Sequence, residues 1–361
     1  MGLVLGAGGV MGGAWLTGGL AALAETTGWD PASADYVVGT SAGAMMGALL
    51  AAGVPPWFMV AHSAGEVFEG LSGSDGRPAA QADRSAGAVF RLHRGLPPVG
   101  PGSLRLAAAS LRRPARHTPA ALVSGWLPRG FISTEPLKDT VRRAVPSGWV
   151  RHPNLWIVAC DYATGRRVAF GRRAAPPAEL ADAVAASCAI PGFYHPVAIA
   201  GRRYVDGGLY STSNLDVLRD ERLDLVICLN PTSSLHPTRA WNPLERLAAA
   251  MRTASGRRLG AESRKLRAAG TEVVLVQPTL EDLAVMGPNL MSRRRQHEVI
   301  ELARRTVAAQ LAETAASGLL ARLPPGEPYA LARPSGHPST WPPLTERQRQ
   351  AAAARAAPAA G

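Results

Sequence analysis

The residues Gly39-Thr40-Ser41-Ala42-Gly43 match the pattern G-x-S-x-G and stand between an apolar run, Asp35 to Val38 (DYVV), and a helix-forming run, MMGALLAAG. In that context the serine is predicted to sit on a sharp strand-to-helix turn that projects its hydroxyl above a sheet, while Gly39 and Gly43 let neighbouring backbone pass without a side-chain clash. A serine hydroxyl is a weak nucleophile until a base takes its proton, and attack on an acyl carbonyl builds a negative oxygen that needs preorganised donors. The chemistry these residues point to is acyl transfer through a covalent intermediate.

A source of donors lies upstream. Gly6-Ala7-Gly8-Gly9-Val10-Met11-Gly12 follows the apolar GLVL of residues 2–5 and opens a helical run through Ala14, Leu16, Leu20 and Leu23. Side-chain-poor backbone at a helix N-terminus can aim N–H groups at an anionic oxygen. The same glycines fail as a dinucleotide fingerprint. The sixth position of a G-x-G-x-x-G match starting at Gly6 is Met11, and the second strand runs into GTSAG instead of ending on an acid.

The base is less local. Of eight histidines, His236 and His297 follow acidic residues in the order of an α/β-hydrolase triad, but a nucleophile at residue 41 comes too early for that fold. His195, beside IPGFYHP, stays open as an alternative. Asp206 ends the apolar run RYV and is followed by Gly207 and Gly208, which permit close approach to another loop. A carboxylate there can serve as base.

The elements that must position these groups alternate. After the first two strand-loop-helix units, strands are predicted at Leu155 to Ala159 and Arg167 to Phe170, joined by the hairpin turn DYATGR. A helix over ELADAVAASCAIPG, a short strand at Val197 to Ala200, and strands at Leu223 to Leu229 and Glu272 to Val276 follow. Such alternation implies an α/β fold of three α/β/α layers, with a mostly parallel sheet covered on both faces. Leu244 to Ala269 is a basic amphipathic helix, predicted to turn a solvated face outward, and Ser292 to Leu320 is a second long helix. One catalytic domain is expected over 1–323. Within it 72–128 is a basic Gly/Pro/Arg-rich insertion, read either as a solvated surface segment or as a cap touching lipid through Leu104, Leu106 and Leu111. The Pro/Ala-rich tail, 324–361, is expected to be disordered.

Composition adds a charge. The 361 residues carry a formal net charge of +12, almost all from Arg, since Lys occurs only at Lys138 and Lys265. A cationic surface attracts anionic headgroups or nucleic acid. Nothing in the chain supplies an aromatic platform or a recognition motif for nucleic acid, so none is expected as partner. Cys160, Cys188 and Cys228 lie in or beside apolar runs without metal-ligand spacing and read as buried free thiols in a reducing compartment. Met1 to Ala24 lacks charge, yet its glycines and the absence of a basic start argue against a signal peptide or a span. A cytoplasmic protein, peripheral at the inner membrane face, is the expectation.

Taken together, GAGGVMG, GTSAG, the AASCAIPG block (Ala185 to Gly192) and VDGG stand in the order and spacing of patatin-like phospholipases, which the chain resembles over roughly residues 2–230. The resemblance implies a Ser-Asp dyad without His, formed by Ser41 and Asp206, and an oxyanion hole from the backbone N–H groups of Gly8 and Gly9. It also implies release of fatty acid from lipid esters with neither metal nor other cofactor. The chain departs from the family pattern at Ala7, where Gly is usual, and at Met11, where a Lys or Arg is usual. A non-catalytic lipid- or partner-binding protein that keeps the fold is the alternative in another class.

Overall fold

A computed structural model of the chain describes residues 1–66, 90–94, 99–112, 118–234, 243–337 and 340–341. Five strands run parallel: β1 (Gly2–Leu5), β2 (Tyr36–Thr40), β3 (Leu155–Asp161), β7 (Leu225–Leu229) and β8 (Glu272–Val276). Three run against their neighbours: β4 (Arg167–Phe170), β5 (Val197–Ile199) and β6 (Arg202–Asp206). The parallel strands are mostly apolar, with polar residues such as Thr40, Asp161 and Glu272 at their ends, as both faces are covered. Leu3 and Leu5 enter one core and Val4 the opposite one, following the period of two in a pleated strand.

One face is covered by α1 (Gly9–Thr27), α2 (Ala42–Ala51), α7 (Leu180–Ser187) and α10 (Gln296–Ala315). The other carries α8 (Pro243–Ala268) and the turn through Leu215 to Leu218. The mostly parallel sheet and its two helical layers agree with the predicted α/β fold. No single helix among the described residues is long and apolar enough to cross a membrane; α2 and α3 (Pro56–Ala64) reach that apolarity only as a pair, bent by 119°.

The pairing of β3 sets up the site. Its residues 157–160 pair with β4 along one edge, which leaves a single other edge for both β2 and β6. β2 takes the first half of that edge, with Thr40 opposite Val158, and β6 takes the second half, with Asp206 opposite Ala159. Because β6 is antiparallel, the C-terminal ends of β2 and β6 meet head-on. Successive positions along β3 are only about 3.3 Å apart, so the residues leaving the two strands converge.

Two expectations change. The tail is ordered where it is described: Gly326 N–H donates to the Gly28 carbonyl (2.6 Å), and α11 (Pro328–Leu331) buries Ala330. Tyr329 and Trp341 pack edge-on against Trp57 of α3, with ring centroids 5.8 and 5.3 Å away. A Pro/Ala-rich composition hides these two aromatics, whose burial offsets the ordering of the segment; residues 342–361 lie outside the described part. In the basic insertion, α4 (Leu104–Arg112) points Leu106 inward against Cys160, Tyr162 and Val205, while Leu104 and Leu111 face out. Leu106 is therefore a core residue, because only one side of that helix meets the sheet. Residues 67–89, 95–98 and 113–117 of this region lie outside the described part.

Candidate active site

Ser41 has φ 54° and ψ −118°, the left-handed conformation in which a non-glycine residue is strained. Chain geometry imposes it: continuing β2 in extended form would carry residue 41 into the end of β6, so the chain turns at Ser41 into α2. Gly43 is dictated by the same crossing, since a Cβ there would lie 2.0 Å from the Leu5 carbonyl oxygen. The turn is held from beneath. Ser41 N–H donates to Ser187 Oγ (2.8 Å), Ser187 Oγ–H donates to the Val158 carbonyl (2.6 Å), and the Cys188 thiol donates to the Ser41 carbonyl (3.2 Å). These contacts give physical content to the AASCAIPG block. Burial pushes the Cys188 thiol pKa up, so it stays a neutral donor below the elbow.

Asp206 is 6% exposed and lies near enough to Ser41 for the serine side chain to act on its carboxyl. Its Oδ1 also accepts the Gly208 N–H at 2.7 Å. Burial pushes the carboxyl up to about 6, and the Gly208 N–H and the neighbouring Ser41 side chain only partly oppose that shift. Gly207 is needed where β6 ends: a Cβ would stand 2.3 Å from the Val158 carbonyl oxygen and 3.2 Å from Thr40 Cγ2. The two glycines after Asp206 thus let the chain fold over the junction of β2 and β3.

Asn214 ties the turn down, with Nδ2 donating to Thr40 Oγ1 (3.1 Å) and the Ser211 carbonyl (2.6 Å). Behind it Glu262 of α8, fully buried, accepts from Ser213 Oγ (2.7 Å) and Leu215 N–H (2.9 Å) and pairs with Arg258 Nε at 3.0 Å. Sequence reasoning missed both residues. Glu262 was hidden in a helix read as solvated, although one of only two acids among so many cations was a usable signal.

In the glycine loop most donors are committed. Gly6 N–H donates to Leu229, Ala7 N–H to Thr212 and Met11 N–H to Leu290, all at carbonyls 2.7–3.0 Å away. Those of Gly8 and Gly9 have no backbone acceptor among the described residues, and they open the N-terminus of α1 beside Ser41. Met11 is buried beneath the loop through Leu290; an apolar side chain fits there, where a cation would lack water.

An apolar pocket of about 740 Å³, open mouth included, starts at Ser41 and runs between α1, α2 and α10. Gly13, Thr17, Met46 and Ile300 line its depth, while Ile190, Tyr194 and Met291 also form its wall. No described residue of 72–128 lines it. His195 does not line it either; it stacks on His93 at 3.9 Å, and burial and its cationic neighbours hold its pKa down. His297 is exposed on α10, and His236 lies outside the described residues. Among the described residues no cluster of three or more His, Cys, Asp or Glu could hold a metal ion; Cys160, Cys188 and Cys228 are free and buried.

The fold is an α/β sheet covered on both faces, with an apolar pocket beside Ser41. Residues 3–219, more than half of the chain, match the model of the family described as patatin-like phospholipase. The chain belongs to that family, whose members are lipid hydrolases.

Proposed function

We propose that this protein is a serine acyl hydrolase that cleaves fatty-acyl esters of lipids, with Ser41 as nucleophile and Asp206 as its base. The observation that carries the reading is Ser41, on a strained turn at an apolar pocket, beside a buried carboxyl whose pKa is pushed up. As Ser41 Oγ attacks the acyl carbonyl carbon, its proton passes to Asp206 and the carbonyl oxygen becomes an oxyanion. On this reading the N–H groups of Gly8 and Gly9 receive that charge, a role in which one donor is typically worth about 100- to 1000-fold in rate. Collapse expels the alkoxide, which takes the proton from Asp206 and leaves an acyl-enzyme. A water molecule, deprotonated by Asp206, then attacks the acyl carbon; fatty acid departs and the proton returns to Ser41. The acyl chain lies in the pocket between α1 and α2, held by apolar burial of about 0.8 kcal/mol per methylene.

Hydrolysis of a short-chain nitrophenyl ester tests the dyad. Ser41→Ala and Asp206→Asn are each expected to abolish it, and full activity in either variant refutes the assignment. A fluorophosphonate probe labels Ser41 on this reading; a folded sample that stays unlabelled is a binding protein instead.

A further inference from the structure

From Arg84 to Thr134 the chain contains eight arginines and not one Asp or Glu. Within the described part of this stretch, large apolar side chains face outward beside the cations. Leu104 and Leu111, seven residues apart on α4, are each 71% exposed, and Val99 is 96% exposed. Arg105 and Arg112 repeat the same spacing one position on and are exposed too. A helix therefore carries an outward leucine stripe with an arginine stripe alongside, while its inner side is fixed by Leu106 and Ser110. Trp126 and Phe131 are large apolar side chains exposed in the same stretch. A soluble surface usually scatters such residues, and a contiguous cluster on a cationic background marks a binding face.

We propose that α4 and the other described residues between 90 and 133 form the face by which the protein seats on an anionic lipid bilayer, with Leu104 and Leu111 entering the interface and Arg105 and Arg112 meeting headgroup phosphates. The occupant follows from charge complementarity: a surface with arginine and no acid fits a sheet of anions. The geometry also connects the face to the site. Ile132 N–H donates to the Phe193 carbonyl (3.1 Å) and His195 N–H to the Ile132 carbonyl (2.8 Å). Gly130 lies so close to Phe193 and Tyr194 that a Cβ would come within 2.3 Å of their backbone. Since Ile190 and Tyr194 line the pocket, the face that seats the bilayer is linked by backbone bonds to the segment that walls the pocket. The inference rests on the lipid-ester reading of the site and names the form in which that substrate is met.

Flotation with vesicles tests it, comparing zwitterionic phosphatidylcholine with mixtures containing phosphatidylglycerol. The protein is expected to float with the anionic vesicles and to be released at about 0.5 M salt. The pair Leu104→Glu with Leu111→Glu is expected to abolish flotation and fatty-acid release from vesicles while leaving hydrolysis of a soluble nitrophenyl ester unchanged, since both side chains are exposed. Replacing Arg105 and Arg112 with Ala is expected to weaken vesicle binding roughly fivefold per arginine. Vesicle binding untouched by these substitutions, or a protein that never floats, overturns the proposal, as does a dimer that the glutamates split without any vesicle association. Absence of soluble-ester hydrolysis in the unaltered protein defeats the acyl-hydrolase reading instead and leaves flotation to decide the face.

Discussion

Replacing Asp206 with Asn removes the charge whose burial is the costliest feature of the site. The folded chain holds this carboxyl at about 6, against an ordinary value of 3.8. Between those two values the folded protein keeps a proton that the unfolded chain has released, so stability falls as pH rises through the window and the full penalty applies above about 6. Two pKa units correspond to about 3 kcal/mol. Asparagine carries no such penalty, and its side-chain oxygen still accepts the Gly208 N–H. Asp206→Asn is therefore expected to be inactive yet more stable than the unaltered protein by about 3 kcal/mol near pH 8, and equal to it near pH 4. At about 2.1 cal/mol/K per residue over 361 residues, that gap amounts to about 4 °C in Tm. Urea denaturation of both proteins at the two pH values measures it. A gap that ignores pH, or an Asn variant less stable near pH 8, refutes the reasoning.

The same carboxyl sets the rate profile: kcat/KM on a soluble ester should fall with unit slope below about pH 6 and level off above it. Gly13 lines the pocket, and a Cβ there meets nothing nearer than Ala42 Cβ at 3.9 Å. Gly13→Leu should therefore fold but fill the pocket, costing roughly tenfold in kcat/KM for each two methylenes excluded, while butyrate esters are spared; a chain-length series that keeps its shape contradicts the acyl pocket. Glu262→Ala strands the Leu215 N–H and should destabilise the fold by about 1–3 kcal/mol in denaturant titration.

The two strand-turn-helix units were legible because each is continuous in sequence: the apolar run, the glycines and the helix of β1 to α1 and of β2 to α2 are local signals. Asp206 was legible as a residue, through the glycines after it, but not as a neighbour of Ser41. That contact depends on β2 and β6 sharing one edge of β3, a pairing no local pattern records. Likewise Ser187 and Cys188 appear in sequence as small residues in a helical run, and only the packing of α7 beneath the elbow shows why they are polar. Leu106 and the tail were misread for one reason. Composition averages over a segment, whereas a single leucine or a pair of aromatics finds its place by what stands opposite.

The elbow's supports come from far along the chain: Ser187 is 146 residues beyond Ser41, and Asn214 is 174 beyond Thr40. During synthesis the serine thus emerges long before anything that seats it. On the proposed mechanism, an N-terminal fragment holding β1, β2 and their helices carries Ser41 without Asp206, and a chain ending before β6 is expected not to hydrolyse esters. Closing so long a loop is slow, so on that mechanism activity waits for β6 to dock, when most of the sheet is already assembled.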